Sequence, residues 1–197
     1  MNLVLASSNP GKLREIAAAL GSLSIEIQPQ SFFGIQDAEE PHATFLENAL
    51  AKARHASRAA RLPALADDSG LCVPALGGEP GVHSAYYAGP EGDRKERDKR
   101  NNRKLLASLK SDRRAYYYCV MVMVQRFDDP RPLVAEGVWH GEIALAPRGA
   151  NGFGYDPLFL VPQLGKTAAE LDPVEKNRLS HRGGALAKLT ALLKEWK

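Results

Sequence analysis

Two pairs of adjacent acidic residues, Glu39-Glu40 and Asp67-Asp68, are the first candidates for chemistry in this sequence. The second pair follows a short apolar run, where ionised carboxylates need a cation or several hydrogen-bond donors to offset burial. A hard cation such as Mg²⁺ prefers carboxylate oxygens together with the phosphate oxygens of a substrate. Asp68 is therefore a candidate general base or metal ligand. Glu39-Glu40 could equally be solvated or favour the dipole of a following helix.

The turn Ser7-Ser8-Asn9-Pro10-Gly11-Lys12 has the composition expected where a backbone approaches phosphate. Its small side chains and its glycine leave room for a ligand, and Lys12 adds a positive charge where a helix is predicted to begin. The glycine spacing of a Walker A loop is absent from the turn. Because Asn-Pro-Gly is also common turn chemistry, a simple helix-starting turn is the alternative interpretation.

Further cations follow on a predicted helix. Asn48 and Lys52 are four residues apart and share one helix face, so an amide and a cation could reach the same phosphate. Arg54 and Arg58 form a second pair at this spacing. Taken singly, each lysine or arginine of this kind is more often a solvated side chain.

Two segments in the second half of the chain carry groups that could bind a nucleotide base. The turn Gly152-Phe153-Gly154-Tyr155-Asp156-Pro157 combines aromatic faces that stack on bases with glycines that expose backbone donors and acceptors. A plain tight turn is the alternative. Ser180-His181-Arg182, with Lys176 four residues before Ser180, supplies cations and donors for phosphate or a purine carbonyl. No G-x-S-x-G sequence occurs, so a serine-hydrolase triad is not indicated.

Apolar runs and helical spacings predict the elements that position these groups. Leu3-Val4-Leu5-Ala6 and Ala64-Leu65-Ala66 are typical of buried strands, and each is followed by a polar stop. Thr44 and Glu47 have the spacing of a capping box, which predicts a helix that begins there and ends before Pro63.

The remaining pattern predicts a mixed α/β protein. Residues 13–20 and the tail after His181 have apolar residues at helical spacing. Residues 115–127 predict a strand, with an antiparallel partner at residues 133–139. We find no internal repeat or flexible linker, so we expect a single domain over residues 1–197.

Composition and charge narrow the functional class. The 197 residues carry a formal net charge of +3, and no apolar stretch approaches the roughly 18 residues that span a bilayer. The first residues lack a basic leader, so we expect a cytoplasmic protein with no membrane partner. Cys72 and Cys119 lack metal-ligand spacing, and we expect both to be reduced residues of the core.

Charged residues are most concentrated between Asp93 and Lys104. This segment contains seven cations and three anions. Its mixed signs and the leucines that follow favour the solvated face of a helix. A nucleic-acid-binding module is the alternative, and it would bind duplexes in a salt-dependent way.

Five motifs, taken together and in this order, resemble those of the inosine/xanthosine triphosphate pyrophosphatases, from residue 3 to the last helix. They are Ser7-Ser8-Asn9-Pro10-Gly11-Lys12, Thr44-Phe45-Leu46-Glu47-Asn48-Ala49, Ala66-Asp67-Asp68-Ser69-Gly70-Leu71, Gly152-Phe153-Gly154-Tyr155-Asp156-Pro157 and Ser180-His181-Arg182. The resemblance implies Mg²⁺-dependent hydrolysis of ITP, dITP and XTP to the monophosphate and diphosphate. It also implies that no stable nucleic-acid partner is needed.

The resemblance implies an elongated α/β fold of two lobes around a mixed, twisted β-sheet with helices on its faces. The nucleotide would lie in the cleft between the lobes, and the working form would be a homodimer. Glu40 and Asp68 would be the metal ligands, and Asp68 and Lys52 the catalytic residues. The implied substrate-binding residues are Ser7, Ser8, Asn9, Pro10, Gly11, Lys12, Ser69, Phe153, Gly154, Tyr155, Asp156, Lys176, His181 and Arg182.

The chain departs from the family pattern at Tyr86 and in the segment from Asp93 to Arg100, which is richer in Lys and Arg than the family pattern. Many members have an arginine where this chain has Tyr86, so an ionic role at that position is not expected here. The nearest rival is the related septum-formation-inhibitor family of pyrophosphatases, which prefers modified pyrimidine nucleotides. The turn Asn9-Pro10-Gly11-Lys12 favours the purine family.

Overall fold

The computed structural model describes residues 2–7, 12–13, 16–17, 20–23 and 25–195. The strands in these ranges are β1 (Asn2–Leu5), β2 (Glu26–Pro29), β3 (Ala64–Cys72), β4 (Arg114–Val124), β5 (Leu133–Ile143), β6 (Phe159–Val161) and β7 (Lys166–Thr167). The helices are α1 (Phe45–Ala60), α2 (Arg94–Ser108), α3 (Pro173–Leu179) and α4 (His181–Glu195). Short 3₁₀ helices cover Gly21–Leu23, Gln30–Phe33, Pro74–Leu76, Gly81–His83, Pro162–Leu164 and Ala168–Glu170. The described residues between 12 and 20 are also helical, as their spacing predicts.

The strands form one sheet in the order β2-β1-β3-β4-β5-β6-β7. β1 pairs in parallel with both β2 and β3, whereas β6 pairs antiparallel with β5 and β7. The predicted α/β class and mixed sheet are therefore confirmed, and β4 and β5 are neighbours as expected. The elongated shape and the nucleotide cleft stay predictions.

The amino-terminal half of β3 is placed by its register with β1. Leu5 lies opposite Leu65, and the Ala6 N–H donates to the Leu65 carbonyl at 2.8 Å. Since the two strands are parallel, the residues after β1 and the acidic pair of β3 follow at the same edge of this strand pair. The predicted phosphate turn and the predicted metal site therefore begin beside each other in the sheet.

The predicted polar stop after Ala66 is wrong. β3 continues through Asp67 and Asp68 to Cys72, and both acids are buried within the strand. Consecutive strand residues project to opposite faces of a sheet, so each acid meets different partners and can be compensated separately. The polar residues of this motif are thus held inside the sheet and do not form a loop.

The helix starts agree with the sequence where capping spacing is present. The Thr44 hydroxyl accepts from the Glu47 N–H at 3.2 Å and donates to the Glu47 carboxylate at 2.6 Å, just before α1. Asp93 and Glu96 form a complete capping box at the start of α2. The charged segment is therefore a helix, as its mixed signs predict.

The chain folds into two compact units, each with its own core. The first unit comprises Met1–Asp68, Cys119–Gly137 and Gly184–Lys197, and its buried residues include Leu5, Ile16, Leu65, Met121 and Leu189. The second comprises Ser69–Tyr118 and Val138–Gly183, and its core includes Leu71, Leu105, Tyr117, Trp139 and Phe159. The single two-lobed domain of the sequence analysis stays a prediction.

The two cysteines agree with the expectation from the sequence. Cys72 and Cys119, both within the described residues, are not disulfide-bonded and are buried, as predicted. Of the helices in the described ranges, none has both the length and the apolar character needed to cross a bilayer.

Candidate active site

Two carboxylates that are distant in sequence share one ammonium group in the first unit. Lys52 on α1 places its Nζ 3.2 Å from Glu40 Oε1 and 3.5 Å from Asp68 Oδ1. Glu40 lies in the irregular segment before α1, and Asp68 lies on β3. The structure therefore brings the two predicted metal ligands around the same cation, and the predicted catalytic lysine is that cation.

The charge state of Lys52 follows from its surroundings. Its side chain is 11% exposed, and burial by itself lowers the pKa of the ammonium. The negative charges of Asp68 and Glu40 outweigh burial, so the pKa of Lys52 lies above its ordinary value. Lys52 stays positively charged at neutral pH, and it can offset the charge of a phosphate but cannot act as a base.

The other acid of the pair on β3 has a different lysine. Lys12 Nζ lies 2.8 Å from both carboxylate oxygens of Asp67, whose side chain is 1% exposed. This contact compensates the buried charge of Asp67. The sequence assigned Lys12 to the triphosphate and gave no sign of this pairing, because the two residues meet only through the register of β1 and β3.

Asn48 holds the segment that carries Glu40. Its side-chain carbonyl accepts from the His42 N–H at 3.0 Å, and its amide donates to the His42 carbonyl at 3.3 Å. Asn48 is 1% exposed, so the segment is fixed from inside the first unit. The prediction that Asn48 and Lys52 reach one phosphate is corrected, because the Asn48 amide donates to the His42 carbonyl, two residues after Glu40.

The predicted phosphate turn is only partly described. Ser7 is half-buried, and its N–H donates to the Leu5 carbonyl at 2.9 Å. Ser8, Asn9, Pro10 and Gly11 lie outside the described residues, so their predicted contact with the triphosphate stays a prediction.

In the second unit, the Asp156 carboxylate organises the turn from Gly152 to Pro157. It accepts from the Phe153 N–H at 2.7 Å and from Lys176 Nζ at 2.5 Å through Oδ2, and from the Tyr117 hydroxyl at 3.4 Å through Oδ1. Burial, followed by the charge of Asp156, raises the pKa of Tyr117 well above its ordinary value, so this hydroxyl stays protonated. Asp156 is 4% exposed and joins the turn to α3 and β4.

The two aromatic residues of this turn have different surroundings. The Tyr155 ring is buried in the core of the second unit, and its hydroxyl donates to the Ser84 carbonyl at 3.0 Å. Burial raises the pKa of Tyr155, so it also stays protonated. Phe153 is 44% exposed, with Arg94 and Lys176 over its ring at 4.3 Å and 5.2 Å from the centroid. Phe153 is therefore the exposed aromatic side chain of the turn.

Gly154 is held through its backbone by α2. Its N–H donates to Asp98 Oδ2 at 2.8 Å, and its carbonyl accepts from Asn102 Nδ2 at 2.9 Å. Sequence reasoning missed Asp98 and Asn102. Their four-residue spacing was visible, but nothing in the sequence placed the turn against that helix face.

The last predicted residues lie at the start of α4 and on β3. The His181 ring stacks on Tyr117 with centroids 4.7 Å apart and planes 10° apart. Arg182 Nη2 donates to Ser69 Oγ at 3.3 Å. Asp156 and His181 thus both contact Tyr117. Lys176 contacts Asp156 and Phe153, and Arg182 contacts Ser69. Sequence reasoning missed Tyr117, because nothing in the sequence of β4 placed it beside Asp156 and His181.

The first unit contains the acidic part of the candidate site. Within the described part of the chain, no three Asp, Glu, His or Cys side chains form a ready metal-binding group. Glu40 and Asp68 provide two carboxylates in contact with one cation, which fits a hard ion that takes its remaining oxygens from water and substrate.

Comparison with known proteins finds relatives over nearly the whole chain. The model of the Ham1 family matches residues 3–192. The chain is 63% identical over 195 residues to a dITP/XTP pyrophosphatase of Burkholderia pseudomallei, with 98% of this chain and 93% of that protein covered. It is 59% identical over 195 residues to a dITP/XTP pyrophosphatase of Nitrosomonas europaea, with 98% and 94% covered.

Solved structures give the same result for the fold. A HAM1 protein from Coxiella burnetii superposes with a TM-score of 0.94 at 50% identity, over 99% of both chains. The Ham1 protein of Staphylococcus aureus superposes with a TM-score of 0.89 at 40% identity, over 100% of both chains. The match extends over nearly the whole chain in sequence and in structure, and the chain belongs to the Ham1 family.

Proposed function

We propose that this protein hydrolyses purine nucleoside triphosphates with an aberrant base (dITP, ITP and XTP) to the monophosphate and diphosphate. This reaction removes aberrant nucleotides from the precursor pool. The observation that carries the proposal is the meeting of Glu40, Lys52 and Asp68. It is supported by relatives named dITP/XTP pyrophosphatase that align over 98% of the chain.

The metal in this proposal is Mg²⁺, held by Glu40 and Asp68. Two carboxylates from different elements suit an ion that usually keeps several waters and takes substrate phosphate oxygens as further ligands. When bound, Mg²⁺ would offset the negative charge of the phosphates and orient them. The support from this chain is that both carboxylates already contact one cation.

The protein groups then act on water and on phosphate. Asp68 accepts the proton of the water that attacks phosphorus, and the anhydride bond between the first and second phosphates breaks. The diphosphate leaves with the electron pair of that bond. Lys52, as an ammonium group, offsets the charge of the phosphates. Lys12 and the turn before it bind the triphosphate. Most of the catalysis is positional and electrostatic.

The second unit supplies the base-binding part. Phe153 offers an exposed ring for stacking, while Gly154, Tyr155, Asp156, Lys176, His181 and Arg182 complete this part together with Ser69. Adenine presents a 6-amino donor where hypoxanthine and xanthine present an acceptor. Each mispaired buried group costs about 1–3 kcal/mol, so selectivity needs more than one such contact. Guanine shares the 6-oxo group, and its rejection must involve the 2-position.

A substrate panel tests the proposed activity. Diphosphate release is measured with Mg²⁺ for dITP, XTP, dGTP, dATP and a modified pyrimidine triphosphate. We expect kcat/KM for dITP and XTP to exceed that for dATP by about 10²-fold or more, because at least two polar contacts are mismatched with adenine. A preference for the modified pyrimidine nucleotide would instead favour the septum-formation-inhibitor type of activity.

Replacement of Asp68 tests the catalytic assignment. In Asp68→Asn, the amide keeps the size of the side chain but cannot accept the proton, so we expect kcat for dITP to fall about 10²–10⁴-fold. Asp128→Asn is the matched control, because Asp128 is an exposed acid of the first unit that pairs with Arg126. Undiminished diphosphate release by Asp68→Asn would remove Asp68 from the mechanism.

We also propose that the protein works in the cytoplasm, where its substrates are formed, and that its working form is a homodimer. The homodimer follows from the resemblance to the family, and the cytoplasmic location from the proposed nucleotide substrates. The nucleic-acid alternative is not favoured, because cations of the 93–104 segment contact the second unit itself. Arg94 and Arg97 lie over Phe153 and Tyr86, and Lys104 lies over Tyr87.

A further inference from the structure

One face of the charged helix α2 contacts the base-binding turn through residues spaced four apart. Arg94, Asp98 and Asn102 lie in successive turns of the helix and therefore share a face. All three contact Phe153 or Gly154. We call these three residues the α2 loop face.

The α2 loop face holds both backbone groups of Gly154. The Asp98 carboxylate accepts from the Gly154 N–H at 2.8 Å, and the Asn102 amide donates to the Gly154 carbonyl at 2.9 Å. A hydrogen bond to an ionised acceptor is stronger than one between neutral groups. The backbone of Gly154 is therefore placed by α2 and is not left to the turn alone.

The third contact acts on the exposed ring of the turn. The Arg94 guanidinium lies 4.3 Å from the centroid of Phe153. Arg94 is the first residue of α2, directly after the Asp93 cap, which accepts from the Glu96 N–H at 2.9 Å. A planar guanidinium on a capped helix end can restrict the orientation of a ring that is 44% exposed.

A different face of α2 anchors the helix in the second unit. Asn101, which is 2% exposed, accepts from the Ala88 N–H at 2.8 Å and donates to the Ser84 carbonyl at 3.2 Å. Leu105 is fully buried in the core. The helix is thus also held by contacts that involve neither Phe153 nor Gly154, so its loop face can act as a reference for these two residues.

We propose that the α2 loop face positions Phe153 and Gly154 for the purine base, and that Arg94 and Asp98 are positioning residues for base binding. This inference rests on the proposed function, and it deepens that function by assigning a role to the charged segment. Arg94 and Asp98 act through Phe153 and Gly154 and are not catalytic residues. Their loss should therefore weaken binding of the base while the chemistry at Asp68 stays intact.

Binding of the product dIMP tests the inference without relying on turnover. Calorimetry should show dIMP affinity lowered about two- to fivefold in Arg94→Ala, the amount that an exposed cation–π contact supplies. In Asp98→Ala the loss should be about tenfold or more, as for a hydrogen bond to a charged group. In steady-state assays with dITP, KM should rise in both variants while kcat stays near that of the unchanged protein.

Conservative and matched variants separate positioning from general stability. Asp98→Asn keeps an oxygen that can accept from Gly154, so it should recover part of the affinity that Asp98→Ala loses. Arg97→Ala is the control. Arg97 is on the same helix and lies over Tyr86, 5.2 Å from its ring centroid, so this substitution removes the same charge at a position away from the turn. Its dIMP affinity and KM should stay unchanged.

The outcomes distinguish this inference from the proposed function. If the unchanged protein neither binds dIMP nor releases diphosphate from dITP, the proposed function fails, and the inference fails with it. Suppose that the unchanged protein binds dIMP and releases diphosphate from dITP. If Arg94→Ala and Asp98→Ala then bind dIMP as tightly as the unchanged protein does, only the inference is overturned. A fall in kcat with unchanged KM, or equal losses in Arg97→Ala, would also overturn it.

Discussion

At the scale of single residues, the base-binding turn depends on how closely one glycine packs against Asp156. A Cβ added at Gly152 would lie 2.1 Å from Asp156 Oδ2 and 3.0 Å from Lys176 Nζ. At Gly154, no described atom outside its chain neighbours lies within 4 Å of an added Cβ. Both glycines have positive φ, at 74° and 62°. Both positions therefore require a similar left-handed backbone conformation, and they differ only in the space available for a Cβ.

Alanine at these two positions gives a controlled comparison. Gly154→Ala should lower the free energy of unfolding by about 1–2 kcal/mol, the cost of a left-handed conformation for a residue with a Cβ. Gly152→Ala has the same cost and also displaces the Asp156 carboxylate, so we expect a larger loss of stability and a higher KM for dITP. Urea unfolding and steady-state kinetics of both variants measure these effects. Equal effects would show that the packing at Gly152 has no influence.

At the scale of the elements, one buried acid shapes the turn between β4 and β5. Asp129 accepts from the Gln125 N–H at 2.8 Å and from the Arg131 N–H at 2.9 Å. Burial raises the pKa of Asp129, but these two backbone hydrogen bonds outweigh it and the pKa lies below its ordinary value. The ionised form is therefore the one that stabilises the turn.

The stability supplied by Asp129 should depend on pH. Because the pKa is lower in the folded protein, this contribution is fully present above the unfolded value of about 3.9 and is lost as pH falls through the folded pKa. Asp129→Ala should lower the free energy of unfolding by about 1–3 kcal/mol at pH 7. Urea unfolding at pH 7 and near pH 3 should show the difference from the unchanged protein shrinking in acid. A difference that stays constant would contradict the assignment.

Elements with a strong local signal were predicted well, and those set by long-range contacts were not. Residues close together in sequence predict the Thr44 cap of α1 and the strand β4. The length of β3 was not predicted, because Asp67 and Asp68 have the composition of a polar stop in the sequence. Only the folded chain places Lys12 and Lys52 against them. Local sequence does not encode a charge partner that arrives from another element.

At the scale of the whole molecule, each compact unit carries its own set of proposed binding residues. Glu40, Lys52 and Asp68 belong to the first unit, and the base-binding turn and α3 belong to the second. The chain passes from one unit to the other between Asp68 and Ser69. The residues that would bind phosphate therefore belong to a unit with one hydrophobic core, and those that would bind the base belong to a unit with another.

Partial ligands should act on the two units separately. With Mg²⁺, inorganic tripolyphosphate should slow amide hydrogen exchange around residues 40–52 and 67–68, because it contains only the group that the first unit would bind. Inosine should slow exchange around residues 153–156 and 176–182 in the second unit. Mass spectrometry of peptides from each complex measures both patterns. Protection of the base-binding turn by tripolyphosphate alone would contradict this division of roles.

The motifs, the mixed α/β class and the family resemblance all followed from the order of residues, because caps, strand propensity and glycine-containing turns are local properties of a chain. The pairing of Asp67 with Lys12, the sharing of Lys52 by Glu40 and Asp68, and the use of Asp98 and Asn102 to hold Gly154 depended on the folded chain. Charges and hydrogen-bond donors choose partners by distance, and distances between remote residues are set only when strands and helices pack together.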